Sequence, residues 1–175
     1  MYLNKIKLFL VISICLIFFF LTYNDVKSQE PKIISGIAKV IDGDTIRIEK
    51  SKIRFFGIDA PERKQLCQKT WLSILFFSFD KDYSCGVVST KKLKNKINNK
   101  FVVCKLNNKD RYNRFIAECY KGKTNINRWM VSNGYAVAYR KYSKKFVSQE
   151  NIAKKEKLGL WAGTFEMPWE WRKKN

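Results

Sequence analysis

Residues 53–62 read IRFFGIDAPE, an apolar strand that carries an arginine and runs into two carboxylates. Residues 40–46, just upstream, read VIDGDTI and hold two more carboxylates. An unpaired buried guanidinium is costly, so Arg54 needs an anionic partner. Carboxylates bunched at the ends of neighbouring strands repel one another unless a cation lies among them. The two stretches together therefore indicate a metal-dependent site for a phosphate ester.

The residues around these stretches predict a three-stranded antiparallel meander. Residues 33–41 alternate in polarity and are rich in β-branched side chains, which is typical of a strand. The Asp42-Gly43 pair is a turn signal, and it is followed by predicted strands at 45–49 and 53–58.

The second half of the chain adds two strands and about three helices. The predicted elements are a basic helix at 87–97, strands at 101–106 and 114–119 around a turn at 107–110, a helix capped by Thr124 that ends at Gly134, and a helix capped by Ser148 that ends before Gly159. Five strands with a few short helices predict an α+β domain built on an OB-fold-like barrel.

Residues 63–85 permit three interpretations. Their central part, residues 71–79, reads WLSILFFSF and is strongly apolar. It could be a core helix, a loop packed by its aromatic side chains, or a flap that binds a partner. Packing in the core is the default expectation for such a run.

The composition favours a polyanionic partner and excludes several chemistries. The chain has 175 residues, with 35 Lys and Arg against 15 Asp and Glu, for a formal charge of +20. Such an excess attracts nucleic acid or another polyanion. There is no histidine, so serine–histidine triads, histidine bases and histidine-ligated zinc are all excluded.

The N-terminus has the pattern of an export signal. Two lysines precede an apolar run at 8–21, and residues 26–28 resemble a cleavage site. We predict a signal peptide at 1–28 and a domain at 29–175 that is periplasmic or secreted. The alternative is an uncleaved membrane anchor. In that case the protein would contact a membrane through this N-terminal segment only.

Four cysteines lie in the exported part of the chain: Cys67, Cys85, Cys104 and Cys119. An even number in an exported domain indicates two disulfides, and four cysteines allow three pairings. Cys104 and Cys119 lie almost symmetrically about a predicted turn near residue 111. That symmetry favours the pairs Cys104–Cys119 and Cys67–Cys85. A zinc site is the alternative, but no Cys-x-x-Cys pair supports it.

At this point the sequence resembles the staphylococcal-type thermonuclease family over residues 32–162. Four motifs carry the resemblance in this order: Ile41-Asp42-Gly43-Asp44-Thr45; Arg54 with Asp59-Ala60-Pro61-Glu62; Asp110-Arg111-Tyr112-Asn113-Arg114; and Glu156-Lys157-Leu158-Gly159-Leu160-Trp161. The family's five-stranded barrel with three helices agrees with the elements predicted above. Residues 62–87 and 168–172 depart from the founding member and resemble an exported Gram-negative subgroup.

The resemblance implies roles for individual residues. Asp44 and Asp59 would hold a calcium ion through their carboxylates, and Ala60 would add its main-chain carbonyl. Glu62 stands where the family places its proposed general base.

Two arginines and two tyrosines complete the implied site. Arg54 and Arg114 would grip the scissile phosphate. Tyr112 and Tyr139 would contact the nucleotide, while Asn113 occupies a turn position that glycine often takes and that asparagine tolerates.

The implied function is that of a calcium-dependent endonuclease that cleaves DNA and RNA with little sequence specificity, leaves 3′-phosphate ends and acts as a monomer. Two other functions stay open: a catalytically inactive nucleic-acid-binding module of the same fold, and an anchored basic protein that binds anionic envelope polymers. Structural roles are also open for the site residues, such as an ion pair of Arg54 with Asp59 or turn bonds from Asp42.

Overall fold

The structure is a computed structural model that describes residues 10, 12–15, 32–74 and 77–175, with the backbone alone for 72–74, 77 and 78. The predicted export segment at 1–28 lies outside the described residues, except for helical backbone at 10 and 12–15. We find no helix able to span a membrane in the part of the chain that the structure describes. The export signal and its cleavage therefore stay predictions.

The strands, in chain order, are β1 (Ile33–Val40), β2 (Thr45–Ile48), β3 (Ser51–Phe55), β4 (Ile58–Asp59), β5 (Leu66–Ile74), β6 (Phe77–Ser84), β7 (Phe101–Lys109), β8 (Phe115–Lys121), β9 (Thr124–Asn125), β10 (Val137–Ala138) and β11 (Gly163–Thr164). The helices are α1 (Cys85–Ile97), α2 (Ile126–Ser132), α3 (Val147–Lys155) and α4 (Pro168–Lys174), with a 3₁₀ turn at Gly159–Ala162 between α3 and α4.

Five of these strands close a barrel. The antiparallel pairs are β1–β2, β2–β3, β1–β7 and β7–β8, and a parallel pair between β3 and β8 completes the ring. The predicted α+β fold with a five-stranded OB-fold-like barrel is confirmed. Closure removes the exposed edges that an open five-stranded sheet would present.

The apolar side chains of the alternating strands fill the barrel interior. Ile46, Ile53 and Phe55 lie inside it and have almost no exposed surface. Met130 of α2 and Phe146, which precedes α3, pack against the same core. Burial of each such side chain contributes about 1.5–3 kcal/mol, so strands and helices share one stabilising core.

The strand predicted at 53–58 is divided in two. Gly57 has a left-handed backbone (φ +72°), and the ring of Phe146 lies 3.2 Å from the position that a Cβ would occupy there. The chain therefore turns between β3 and β4. Asp59 in β4 pairs with Val137 of β10 rather than extending β3.

The segment at 63–85 is a β-hairpin made of β5 and β6, not a helix or an irregular loop. The core packing that we expected is wrong for Trp71, which is 72% exposed, and for Phe79, which is also exposed. The base of the hairpin is what packs: Cys67 and Cys85 form a second small core with Val137 and Leu160.

Several boundaries differ from the prediction because local contacts decide them. Asn125, not Thr124, caps α2, since its side chain accepts a hydrogen bond from the Arg128 amide (2.9 Å). Ser148 lies inside α3 and does not cap it; its hydroxyl bonds Gln149 instead. The strand predicted at 101–106 continues to Lys109 in β7.

Both disulfide pairings are confirmed, and the zinc alternative is wrong. Cys104 and Cys119 face each other directly in the register of β7 and β8. Cys67 and Cys85 join the start of β5 to the start of α1. The second bridge fixes the base of the hairpin beside the chain that carries Glu62.

A single amide side chain connects α2 to the turn between β3 and β4. Asn127 is fully buried. Its Oδ1 accepts from the Cys119 amide (3.0 Å), and its Nδ2 donates to the carbonyls of Phe56 (3.0 Å) and Ala117 (3.1 Å). Asn127 thus satisfies three main-chain groups and holds the turn that separates Arg54 from Asp59.

We predict that Asn127→Ala lowers the free energy of unfolding by about 1–3 kcal/mol, because it leaves buried main-chain groups unpaired. Urea denaturation measures the loss. Asn108→Ala, at an exposed position of β7, is the matched control and should change stability by less than about 0.5 kcal/mol. Equal losses in the two variants would contradict the role of Asn127.

Candidate active site

Asp44 is presented by a tight turn between β1 and β2. The Asp44 amide donates to Oδ1 of Asp42 (3.1 Å), and the Ile41 amide donates to the Thr45 carbonyl (2.9 Å). Gly43 lets the turn approach its neighbours, because a Cβ there would collide with Ser89 and lie 2.7 Å from the Ala60 Cβ. The turn bond expected of Asp42 is present, and Asp44 is buried at the barrel end.

One guanidinium bridges the two carboxylates predicted to bind the ion. Arg54 donates from Nη1 to Oδ1 of Asp44 (2.8 Å) and from Nη2 to Oδ1 of Asp59 (2.6 Å). The Ala60 amide donates to Oδ2 of Asp44 (3.0 Å). The structure therefore brings Asp44, Arg54, Asp59 and Ala60 together. The ion pair of Arg54 with Asp59 is real, and their roles in catalysis and metal binding stay predictions.

Burial and charge shift the pKa values of this group. Burial alone would lower the pKa of Arg54, but the charges of Asp44 and Asp59 outweigh it and raise that pKa. Burial raises the pKa of Asp59, against hydrogen bonds from Arg172 and the charge of Arg54. Burial and the charge of Asp44 raise the pKa of Asp42 to about 7.

Glu62 lies at the open side of this group and binds an arginine from the far end of the chain. Arg172 of α4 donates from Nη1 to Oε1 of Glu62 (2.8 Å) and from Nη2 to Oδ2 of Asp59 (2.7 Å). Gln65 supports Glu62 from behind, since its Oε1 accepts from the Glu62 amide (3.2 Å). Glu62 and Asp59 are therefore joined through Arg172.

Arg114 lies immediately before the neighbouring strand, β8. Arg54 pairs with Ile116 in the parallel register of β3 and β8, so Arg114 lies two residues, about 7 Å, further back. Its side chain binds Asp110 (Nη2 to Oδ2, 2.7 Å). It makes no described hydrogen bond to the carboxylates bound by Arg54.

The two predicted nucleotide-binding tyrosines have different surroundings. Tyr112 is 65% exposed, and the guanidinium groups of Arg111 and Arg114 lie 4.9 and 5.4 Å from its ring centre. Tyr139 stacks on Trp169 of α4, with ring centres 5.3 Å apart and planes 3° apart. One face of Tyr139 is therefore already covered.

The turn at Asn113 has the backbone conformation that the sequence indicated. Asn113 is left-handed (φ +60°), as asparagine tolerates. The side chain of Asp110 accepts from the amides of Tyr112 (2.9 Å) and Arg114 (3.0 Å). These bonds set the direction in which Tyr112 and Arg114 leave the barrel.

The donor set fits a hard divalent cation. In residues 32–74 and 77–175 no three His, Cys, Asp or Glu side chains are grouped as a metal centre. Asp44 and Asp59 nevertheless share one cationic group, the Arg54 guanidinium. Carboxylate and carbonyl oxygens, completed by water, are the ligands that calcium and magnesium prefer. Asp44, Asp59 and Ala60 can supply such ligands.

Arg172 and Trp169 contact residues of the candidate site, and sequence reasoning missed both contacts. The available signal was the terminal run Pro168-Trp169-Glu170-Trp171-Arg172, an aromatic and basic segment beyond the last family motif. Positions three apart share one face of a helix. That spacing lets Trp169 contact Tyr139 while Arg172 contacts Asp59.

Comparison with known proteins identifies the family of this chain. The family model of staphylococcal nuclease homologues matches residues 52–163. An uncharacterized endonuclease of Escherichia coli O157:H7 is 33% identical over 78% of this chain and 82% of its own length. A succinoglycan biosynthesis protein of Rhizobium meliloti is 33% identical over 79% of this chain and 69% of its own. A probable staphylococcal-like nuclease of Oryza sativa is 31% identical over 75% of this chain and 23% of its own.

The chain belongs to the staphylococcal nuclease family. Its class is that of an endonuclease, whose substrate is nucleic acid. The family is generally metal-dependent, which accords with the donor set of Asp44, Asp59 and Ala60.

We predict that Arg54→Ala in chelator lowers the free energy of unfolding by about 3 kcal/mol, because Asp44 loses its cationic partner in a buried setting. Arg114→Ala is the matched control. Its partner Asp110 is more exposed (18%) than Asp44 (5%), so water screens the pair better and its loss should cost about 1 kcal/mol or less. Chemical denaturation measures both. Equal losses of unfolding free energy in the two variants would show that the Arg54–Asp44 pair stabilises the fold no more than the Arg114–Asp110 pair does.

Proposed function

We propose that this chain is a calcium-dependent nuclease that hydrolyses phosphodiester bonds of DNA and RNA with little sequence specificity and leaves 3′-phosphate ends. One observation carries the proposal: the buried carboxylates of Asp44, in the turn before β2, and Asp59, in β4, both contact the Arg54 guanidinium at the barrel end. A site that gathers like charges in this way is suited to a divalent ion.

The ion would be held by the carboxylates of Asp44 and Asp59 and the carbonyl of Ala60. When bound, it supplies positive charge to a phosphate oxygen and helps to orient water. Both carboxylates are buried, so few water molecules compete with the ion for their oxygens. Calcium tolerates the irregular oxygen coordination that two side chains and one carbonyl provide.

Arg54, in β3, and Arg114, just before β8, would bind the phosphate. Planar guanidinium groups donate paired hydrogen bonds, which strengthen as negative charge builds up in the transition state. Glu62 is more exposed than Asp44 or Asp59 and would take the proton of the attacking water, since the chain has no histidine. The water oxygen bonds to phosphorus as the bond to the 5′ oxygen breaks. The 5′ oxygen takes a proton from solvent and leaves as a hydroxyl, and the phosphate stays on the 3′ side.

Low sequence specificity is supported by the chemistry around Tyr112. An exposed ring can stack on any base, and Arg111 and Arg114 beside it attract the phosphate backbone. The formal charge of +20 adds a sequence-independent attraction. Binding of this kind depends steeply on salt concentration.

Digestion of single-stranded DNA, double-stranded DNA and RNA tests the proposal. Cleavage is expected with calcium and should be absent in chelator. The products should carry 5′-hydroxyl ends that polynucleotide kinase labels without prior phosphatase treatment. Cleavage that persists in chelator contradicts the proposal, and salt-sensitive binding without products would favour the inactive binding module instead.

Single substitutions test the assigned roles in the same assay. Arg114→Ala should lower the rate by about 10²–10³, and Glu62→Gln by about 10²–10⁴. Arg128→Ala removes the same charge as Arg114→Ala at an exposed position of α2 and should retain nearly full activity. Loss of activity in the control would mean that overall charge, not the site, sets the rate.

We also propose that the protein works outside the cytoplasm, in the periplasm or as a secreted protein. Two disulfides support this location, because they persist in oxidising compartments. N-terminal sequencing of the exported protein should find a start near residue 29. A start at Met1 in the membrane fraction would instead identify an uncleaved anchor.

A further inference from the structure

We propose that Arg172 is a functional residue of the nuclease site, an internal counter-cation that holds Asp59 and Glu62 until a divalent ion displaces it from Asp59. The inference rests on the proposed metal site. It adds a residue from α4, beyond the last of the four motifs, and gives that residue a defined relation to the ion.

Arg172 and Arg54 together occupy both oxygens of Asp59. Arg172 donates to Oδ1 (3.1 Å) and Oδ2 (2.7 Å), and Arg54 donates to Oδ1 (2.6 Å). The Asp59 side chain has no exposed surface. An ion that approaches Asp59 therefore meets oxygens that already carry cationic partners.

Electrostatics makes the ion and Arg172 competitors. Calcium binds carboxylate oxygen at about 2.3–2.6 Å, so an ion on Oδ2 of Asp59 would lie within a few ångströms of the Arg172 guanidinium. Two cations this close, beside buried side chains, repel strongly because little water screens them. Each one lowers the affinity of Asp59 for the other.

Arg172 is the arginine that can leave. Its side chain is 33% exposed, against 16% for Arg54, so its guanidinium can rotate into solvent at lower cost. The backbone of α4 need not move. Trp169 stays stacked on Tyr139, and Nε2 of Gln65 donates to the Glu166 carbonyl just before the helix (2.6 Å).

Displacement of Arg172 also changes Glu62. One nitrogen of Arg172, Nη1, donates to both Asp59 and Glu62. When the ion displaces Nη1 from Asp59, Arg172 no longer links Glu62 to Asp59. The proposed base is then free to accept a proton only after the ion has bound.

Calcium titration calorimetry without nucleic acid tests the competition directly. Arg172→Ala should bind calcium on the order of tenfold more tightly than the wild type. Arg172→Lys, which keeps the charge but lacks the planar fork, should lie between them. Lys173→Ala removes the same charge from the same helix, where Lys173 binds Glu170 (2.9 Å), and should match the wild type.

The same variants separate competition from a merely structural role. If Arg172 only attached α4, Arg172→Ala would lower the Tm equally with calcium and with chelator. Competition predicts a larger Tm deficit in chelator than in saturating calcium, because binding linkage is reciprocal. Equal deficits overturn the inference.

Asp59→Asn distinguishes failure of this inference from failure of the proposed function. If Asp59→Asn abolishes calcium binding while Arg172→Ala leaves the affinity unchanged or weaker, the metal site stands and the competition is refuted. If neither the wild type nor Arg172→Ala binds calcium, both the competition and the calcium assignment fall.

Discussion

The rest of the structure depends on one electrostatic constraint: buried carboxylates from separate strands can share the end of a barrel only if positive charge lies between them. Asp44 leads into β2, Asp59 ends β4, and Arg54 of β3 lies between them in space. These contacts join the strands as well as forming the site. The constraint that suits the site to a metal ion is therefore the same one that the folded barrel must satisfy.

A second small core explains how the C-terminus reaches the site. Cys67, Cys85, Val137 and Leu160 are buried together, and Trp169 packs at their edge. This cluster joins the hairpin base to the segment that leads into α4. The hairpin and α4 are thus parts of one extension, and the extension places an arginine against carboxylates that lie more than a hundred residues earlier in the chain.

Much of the fold and part of the site could be predicted from local sequence. The alternation of β1, the left-handed Asn113 and the facing cysteines of β7 and β8 all follow from rules that act over a few residues. Helix caps were harder, because neighbouring polar residues offer alternative starts for the same helix. The N-cap of α2 is Asn125 rather than Thr124, because the Asn125 side chain accepts a hydrogen bond from the Arg128 amide.

The sequence by itself determined the strands and helices of the barrel and favoured the two disulfide pairs that form, because periodicity and turn signals act over a few residues. The acidic and basic site residues were predicted from the four motifs. Only the tertiary structure decided that Arg172 binds Glu62, that Trp169 covers Tyr139, and that β5 and β6 pair as a hairpin. Such contacts depend on where distant segments meet after the core has formed. No local sequence pattern predicts which distant segments come into contact. Packing of the second core brings α4 to the carboxylates.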